Sequence, residues 1–423
     1  MENELRILDY EEVLNELNRI TKNPSFKKMK SVNTVCDNIE IPYYTFGNGD
    51  NHIVICGGTH GSEIISVDFV LRLMEAISKK EKPFDNLDDF TFHFIPVHNP
   101  EGYIVSTSAI RTLIKRGTSE EEIEKISKEY FMSYRQDDIN AKNNPDDKSL
   151  KKHQKMFEDV TYECIPKKYP MLRKNIKNIY SNPLIPKGSM VVHRGNGLGI
   201  ETNRSTLSKA LTNKNDSIYG TNRYNNIRID IKGPLGIFPL KENIVENKFL
   251  KDLLEKLYKE KKYCGMLTYH GTGGLIYSKI STDDENYIFD EVDENYIKDK
   301  YTKNVINDFL ARKYQEKTKY TTPNDSEKPG YRIIKNPSLK GFDEVLRHKF
   351  PGVLLIELSY MGGNPLGPLG DKENNYIPTI KYNFLATYDF FKNCKNLKDV
   401  MYGEAYLFDE KVSKEWEEDH KKR

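Results

Sequence analysis

The chain has 423 residues, of which 37 % are hydrophobic and 30 % charged, enough apolar material for a sizeable core and a globular rather than a disordered chain. Lys and Arg number 65 against 63 Asp and Glu, and the resulting formal charge of +2 excludes an electrostatic case for nucleic acid as the main partner. No apolar run has membrane-spanning length, and the five cysteines, odd in number and far apart, suggest neither a disulfide framework nor a CxxC metal knot.

Along the chain, "MENELRILDYEEVLNELNRI" carries acids where a secretory signal needs positive charge, so with the scattered cysteines a cytoplasmic location is expected. Within it Leu14, Leu17 and Ile20 recur at helical spacing and predict an amphipathic opening helix. "NHIVICGG" and "FTFHFIPV" read as buried strands, with the helical pattern "SVDFVLRLMEAISKK" between them. From about 106 to 186, Lys, Asp, Asn and Tyr dominate and strand signals are missing, so this stretch is expected to be an insertion with short helices, a solvated excursion before a lid or dimer contact. "KENIVENKFLKDLLEKLYKE" predicts a helix leading into the strand "YCGMLTYH", "GFDEVLRHKF" one leading into "GVLLIELSY", and "YNFLATYDFFKNC" a closing helix. Helices alternating with apolar strands predict an α/β fold with a mixed, mostly parallel central sheet and helices on both faces. Residues 1–408 are taken as one domain and 409–423 as a charged tail.

Chemistry concentrates where apolar strands end. "ICGGTHGSE" puts His60 and Glu63 between a buried strand and a helix, among glycines that let backbone pass close to a ligand. A second histidine and glutamate three apart, His98 and Glu101, fall in a turn where the side chains need not converge. A catalytic zinc needs a third protein ligand and an open position. His270 in "MLTYHGTGG" ends another apolar strand and completes a His2Glu set. Glu357 lies inside "GVLLIELSY", where an unpaired carboxylate is costly, and reads as a general base at a third strand end. Each has a plainer reading, a strand-end histidine that only packs or a glutamate salt-bridged at the sheet edge.

These motifs resemble those of the zinc metallocarboxypeptidases of the carboxypeptidase A type. "DYEEVLNEL" is similar to the family's opening helix and "GGTHGSE" to its zinc segment; "PVHNPEGY" resembles its Pro-Asn-Pro-acid-Gly-Tyr turn and "GIETNR" its Gly-Val-Asp-x-Asn-Arg segment. "TYHGTGGLIY" is similar to the second zinc segment and "SLKGFDEVLRHKFPGVLLIEL" to the stretch that ends in the catalytic glutamate. "GGNPL" resembles the bacterial branch that trims cell-wall peptides. These motifs in this order are far more specific than any one.

The resemblance implies one zinc ion per chain held by His60, Glu63 and His270, with Glu357 as general base. It implies that Asn203 and Arg204 hold the terminal carboxylate of a peptide substrate, that Arg194 polarises the scissile carbonyl, and that Tyr331 closes over the substrate. Two departures stand out, Glu201 in place of the usual aspartate and Ser205 in place of the usual asparagine, and "GTNRYNN" offers Asn222 and Arg223 as a competing pair. The expected activity is hydrolysis of a peptide or amide bond next to a free carboxyl end, with no nucleic-acid or membrane partner. Two rivals remain open: an N-acyl amino acid deacylase of the same superfamily, and an inactive module that holds zinc but hydrolyses nothing.

Overall fold

A capping box starts the first helix, α1 (Tyr10–Ile20): Asp9 Oδ1 accepts from the Glu12 amide and Glu12 Oε2 from the Asp9 amide, both at 2.9 Å. Its face of Tyr10, Val13, Leu17 and Ile20 is buried, one helical turn apart as the sequence pattern requires. The computed structural model describes residues 4–125, 127, 160–181, 187–204, 244–271, 273–278, 296–318, 320–321, 327–328, 331–334, 342–359, 366–369 and 375–404. The tail at 409–423, most of "GGNPL", and Asn222 with Arg223 lie outside the described residues.

In chain order there follow β1 (Phe26–Lys28), β2 (Tyr44–Gly47), β3 (Asn51–Cys56), α2 (Ile64–Ser78), β4 (Phe90–Ile95), α3 (Pro100–Lys115) and α4 (Pro170–Ile179). After them come α5 (Val245–Lys259), β5 (Tyr263–His270), β6 (Leu275–Tyr277), α6 (Tyr296–Lys317), β7 (Tyr320–Thr321) and β8 (Glu327–Lys328). The last are β9 (Arg332–Ile334), α7 (Phe342–Lys349), β10 (Val353–Glu357) and α8 (Ile377–Asn396). The central sheet has the order β1-β2-β4-β3-β5-β10-β6-β9. Its middle strands β4, β3, β5 and β10 run parallel, and antiparallel pairing enters on either side, through β2 and β6.

Both faces of this sheet are covered. Ile53 and Ile55 of β3 point into the larger core, with α1, α2, α3, α6 and α8, while Val54 and Cys56 point into a second cluster with Leu250, Leu254 and Leu257 of α5 and Leu346 of α7. That two-sided burial is why "IVIC" is an unbroken apolar run. No helix among the described residues is long and apolar enough to cross a membrane.

The stretch expected as a solvated insertion is built differently at both of its ends. Ser106 lies inside α3, its Oγ donating to the Val191 carbonyl at 2.6 Å, and Ile110 and Leu113 are in the core. Helix α4 buries Leu172, Asn175, Ile176 and Ile179, a helical stripe set beside the exposed Lys174 and Lys177 that masked it in composition. Residues 128–159 lie outside the described part.

Candidate active site

The parallel strands β3, β5 and β10 are neighbours, and their carboxyl ends lie along one edge. Open α/β sheets bind ligands there, because the chain leaves each strand in a loop while helix amino termini point inward. His270 is the last residue of β5 and sits in register with Glu357, the last of β10; the Leu358 amide donates to the His270 carbonyl at 3.0 Å. His60 and Glu63 lie between β3 and α2, Glu63 immediately preceding the helix.

Glycines stack three segments onto this edge. A Cβ on Gly61 would stand 2.1 Å from the Gly102 carbonyl carbon, and one on Gly102 would stand 2.2 Å from the Gly195 oxygen. Backbones of "HGSE", "NPEGY" and "HRGNG" can therefore touch only because side chains are missing there. Asn99 caps α3, accepting from the Gly102 amide at 2.9 Å, and donates through Nδ2 to the Arg194 and Gly195 carbonyls at 3.2 and 3.0 Å. The turn expected at "NPEGY" is thus the first turn of α3. His98 and Glu101 diverge from it: His98 Nε2 bonds the Glu246 carbonyl at 3.0 Å, and Glu101 accepts from the Cys36 and Gly197 amides at 2.6 and 2.7 Å.

His60, Glu63 and His270 converge, with donor atoms within 4.8 Å of one another, and all three are buried. His60 Nδ1 lies 2.7 Å from Glu63 Oε1 and 3.2 Å from His270 Nδ1, which lies 3.0 Å from Glu63 Oε2. The outer ring nitrogens turn toward carboxylates: His60 Nε2 is 2.8 Å from Glu201 Oε1 and His270 Nε2 is 3.2 Å from Asp343 Oδ2. Arg194 enters from the side, Nη1 donating to Glu63 Oε1 at 2.8 Å and Nη2 to His60 Nδ1 at 2.7 Å. The same Nη2 also lies 3.0 Å from His60 Nε2, so the guanidinium, which can only donate, faces both nitrogens of the ring.

Burial opposes charge on Glu63, yet His60, Arg194 and His270 outweigh it and hold the carboxyl well below the usual carboxylate range. Burial also opposes charge on His270, and there Glu63 and Asp343 prevail and push it up to about 10. Zinc fits this set. Two imidazole nitrogens and a carboxylate oxygen, ligand types that zinc favours, lie within 4.8 Å of one another, and a bound ion would displace the proton that the carboxylates favour on His270.

Residues 15–157 match the family model for zinc carboxypeptidases, peptidase family M14. The matched segment is of zinc carboxypeptidase type. It includes His60 and Glu63, and it marks the chain as a peptidase hydrolase. Among solved structures, thrombin-activatable fibrinolysis inhibitor is 14% identical, covering 92% of this chain and 73% of its own, with a TM-score of 0.50. Carboxypeptidase A from Helicoverpa armigera is 11% identical over 93% of this chain and 74% of its own, also with a TM-score of 0.50. Likeness at such identity speaks for the carboxypeptidase-like α/β fold alone. No curated protein sequence matches the chain.

The remaining expected residues divide. Arg194 joins the cluster. Glu357 is half-buried beside His270 at the strand end. Asn203, in a 3-10 turn (Thr202–Arg204), accepts through Oδ1 from the Asp343 amide at 3.2 Å, and Arg204 ends that turn. Tyr331 is placed otherwise than expected. Only 1% exposed, it is part of the main core, and its hydroxyl accepts from Asn383 Nδ2 of α8 at 2.8 Å. A ring so enclosed and tethered is a packing residue, not a flap over substrate. Asp343 was missed; it stands at the start of "FDEVLRHK", a helix whose sequence signals only a favourable acid in its first turn.

Proposed function

We propose that the protein is a zinc metallocarboxypeptidase that removes residues from the free carboxyl end of a peptide. The reading rests on the convergence of His60, Glu63 and His270, with Arg194 alongside, at the ends of adjacent parallel strands. His60, Glu63 and His270 would hold zinc, which when bound supplies Lewis acidity at the scissile carbonyl and the attacking water. Glu357 takes the proton of that water and returns it to the leaving amine. Arg194 orients the scissile carbonyl and donates to the oxyanion that develops there. Asn203 and Arg204 bind the terminal carboxylate, a task suited to the planar fork of arginine. Wall-derived peptides are our preferred substrate class, on the likeness of "GGNPL" alone, and a reducing cytoplasm the preferred location, consistent with five free cysteines.

Carboxylate anchoring is tested with one short peptide in acid and amide forms, on the unmutated protein and on Arg204→Ala. A bidentate charge-assisted contact contributes about 1.5–3 kcal/mol, so the amide form and the mutation should each lower kcat/KM by about one to two decades, mainly through KM. Their combination should cost little more than either alone, since both remove one contact. Equal rates on acid and amide would reject an exopeptidase, and a preference for acyl amino acids over peptides would move the reading to a deacylase.

A further inference from the structure

We propose that Asp343 is a positioning residue of the metal centre: its carboxylate takes the Nε2 hydrogen of His270, so that Nδ1 turns its lone pair to the ion. The proposal rests on the zinc reading given above. His60 already shows the arrangement, with Glu201 at its outer nitrogen and Nδ1 facing Glu63. His270 repeats it with a carboxylate from another element. Its Nε2 and Asp343 Oδ2 are 3.2 Å apart, between side chains 0% and 4% exposed. The contact lacks the alignment of a full hydrogen bond, but among the described residues neither atom has another hydrogen-bond partner. Two buried polar atoms facing each other at this distance are best explained by a pairing that matters to the site.

The chemistry favours a carboxylate at this place. An imidazole that ligates through Nδ1 must keep its hydrogen on Nε2, and an acceptor there fixes the tautomer, fixes the ring and makes Nδ1 a better donor. Asp343 could instead serve only the amino terminus of α7, where an acid is favourable. Its side chain nevertheless reaches to His270, and its backbone amide is the part that serves the neighbouring turn, donating to Asn203 Oδ1 at 3.2 Å. α7 then runs into β10, which sets Glu357 in register with His270. One residue thereby references the metal ligand, the turn proposed to bind the substrate carboxylate, and the strand proposed to bring the base.

The test is zinc affinity, not turnover. Zinc-free full-length protein is titrated with zinc against a chromophoric chelator for the unmutated chain, Asp343→Asn, Asp343→Ala and Asp343→Glu, with urea midpoints of the metal-free forms measured in parallel. Loss of an outer-sphere carboxylate typically weakens metal binding 10–100-fold. We expect that range for Ala, a smaller loss for Asn, which keeps an acceptor but no charge, and partial recovery for Glu, with little change in the urea midpoint of Asp343→Asn. Should Asp343→Ala not fold, Asp343→Asn, of equal size, decides. Zinc affinity within twofold of the unmutated chain in both Asn and Ala, or weakened only in variants whose metal-free form has lost its folded near-ultraviolet signal, would overturn the proposal and leave the zinc reading standing. An unmutated chain that binds no zinc would overturn both.

Discussion

Two pairs of histidines lie toward opposite ends of the same sheet, the first buried and the second half-buried at His52, and they differ in their company more than in their ring spacing. The rings of His60 and His270 are 4.9 Å apart, those of His52 and His93 5.0 Å. Around the first pair stand Glu63, Glu201 and Asp343, each within 3.2 Å of a ring nitrogen. The second forms a relay of neutral groups, His52 Nδ1 to His93 Nε2 at 2.8 Å and His93 Nδ1 to the Tyr43 hydroxyl at 2.7 Å. Burial pushes His52 down to about 4 and His93 to about 3, whereas carboxylates hold His270 up at about 10. Burial by itself makes a histidine neutral and structural. Carboxylates around it make a centre that attracts a cation.

The comparison breaks most completely if the carboxylate at the heart of the first pair is removed. Glu63→Gln should leave two histidines and Arg194 without the anion that assembles them, and zinc content after dialysis should fall from about one per chain to near zero, with turnover lost. Retention of a full zinc ion in Glu63→Gln would show that the histidines alone suffice and that the contrast with His52 and His93 is misplaced.

Glu357→Gln sharpens the same contrast by separating holding from catalysis. Glu357 lies beside the cluster but is not among its converging donors. The variant should keep zinc while kcat falls by about 10²- to 10⁴-fold, the range for a positioned general base. Metal analysis and steady-state rates on one preparation check it; near-normal kcat would return Glu357 to a structural role.

Acid should act on the neutral histidines. His93, His98 and His193 are buried, with burial the leading cause that lowers them to about 3, 4 and 4. A histidine depressed in the fold takes up a proton on unfolding near its ordinary value of about 6.5. Its stabilising effect is therefore complete above about pH 6.5 and is lost as pH falls toward 4, each group contributing up to about 1.4 kcal/mol per pH unit. Urea midpoints at pH 7.5 and 5.5 should fall with acid, and His93→Gln should make that fall shallower. An unchanged pH slope in His93→Gln would mean that His93 titrates normally in the fold.

The smallest effect is expected at Tyr43. Tyr43→Phe removes the hydroxyl from His93 Nδ1 and should cost about 1 kcal/mol by urea unfolding. Zinc content and kcat should be unchanged, since nothing in the relay reaches the strand-end cluster. A change in zinc affinity would join two regions that are here distinct.

Much of this was legible in sequence because it is local. The apolar runs that end in His60, His270 and Glu357 specify strands through period and length, and a strand buried on both faces announces itself as "IVIC" or "VLLI". Helices α1, α5, α7 and α8 follow from their spacing in the same way. Composition misled at 106–186, where polar residues such as the exposed Lys174 and Lys177 hid the buried stripe of α4 and the continuation of α3. Tyr331 misled for another reason: a tyrosine in a loop reads the same whether its hydroxyl meets substrate or, as found, Asn383.

What the sequence determined by itself is which strands end in which donors, since side-chain period and glycine placement act over a few residues. Tertiary structure alone decided that β3, β5 and β10 lie side by side, so that donors distant in the chain come within 4.8 Å. It alone turned the Nδ1 atoms inward and set Glu201 and Asp343 behind them. It also set the burial of each ring and the carboxylates beside it, neither of which the sequence shows, and the protonation of a buried histidine depends on both.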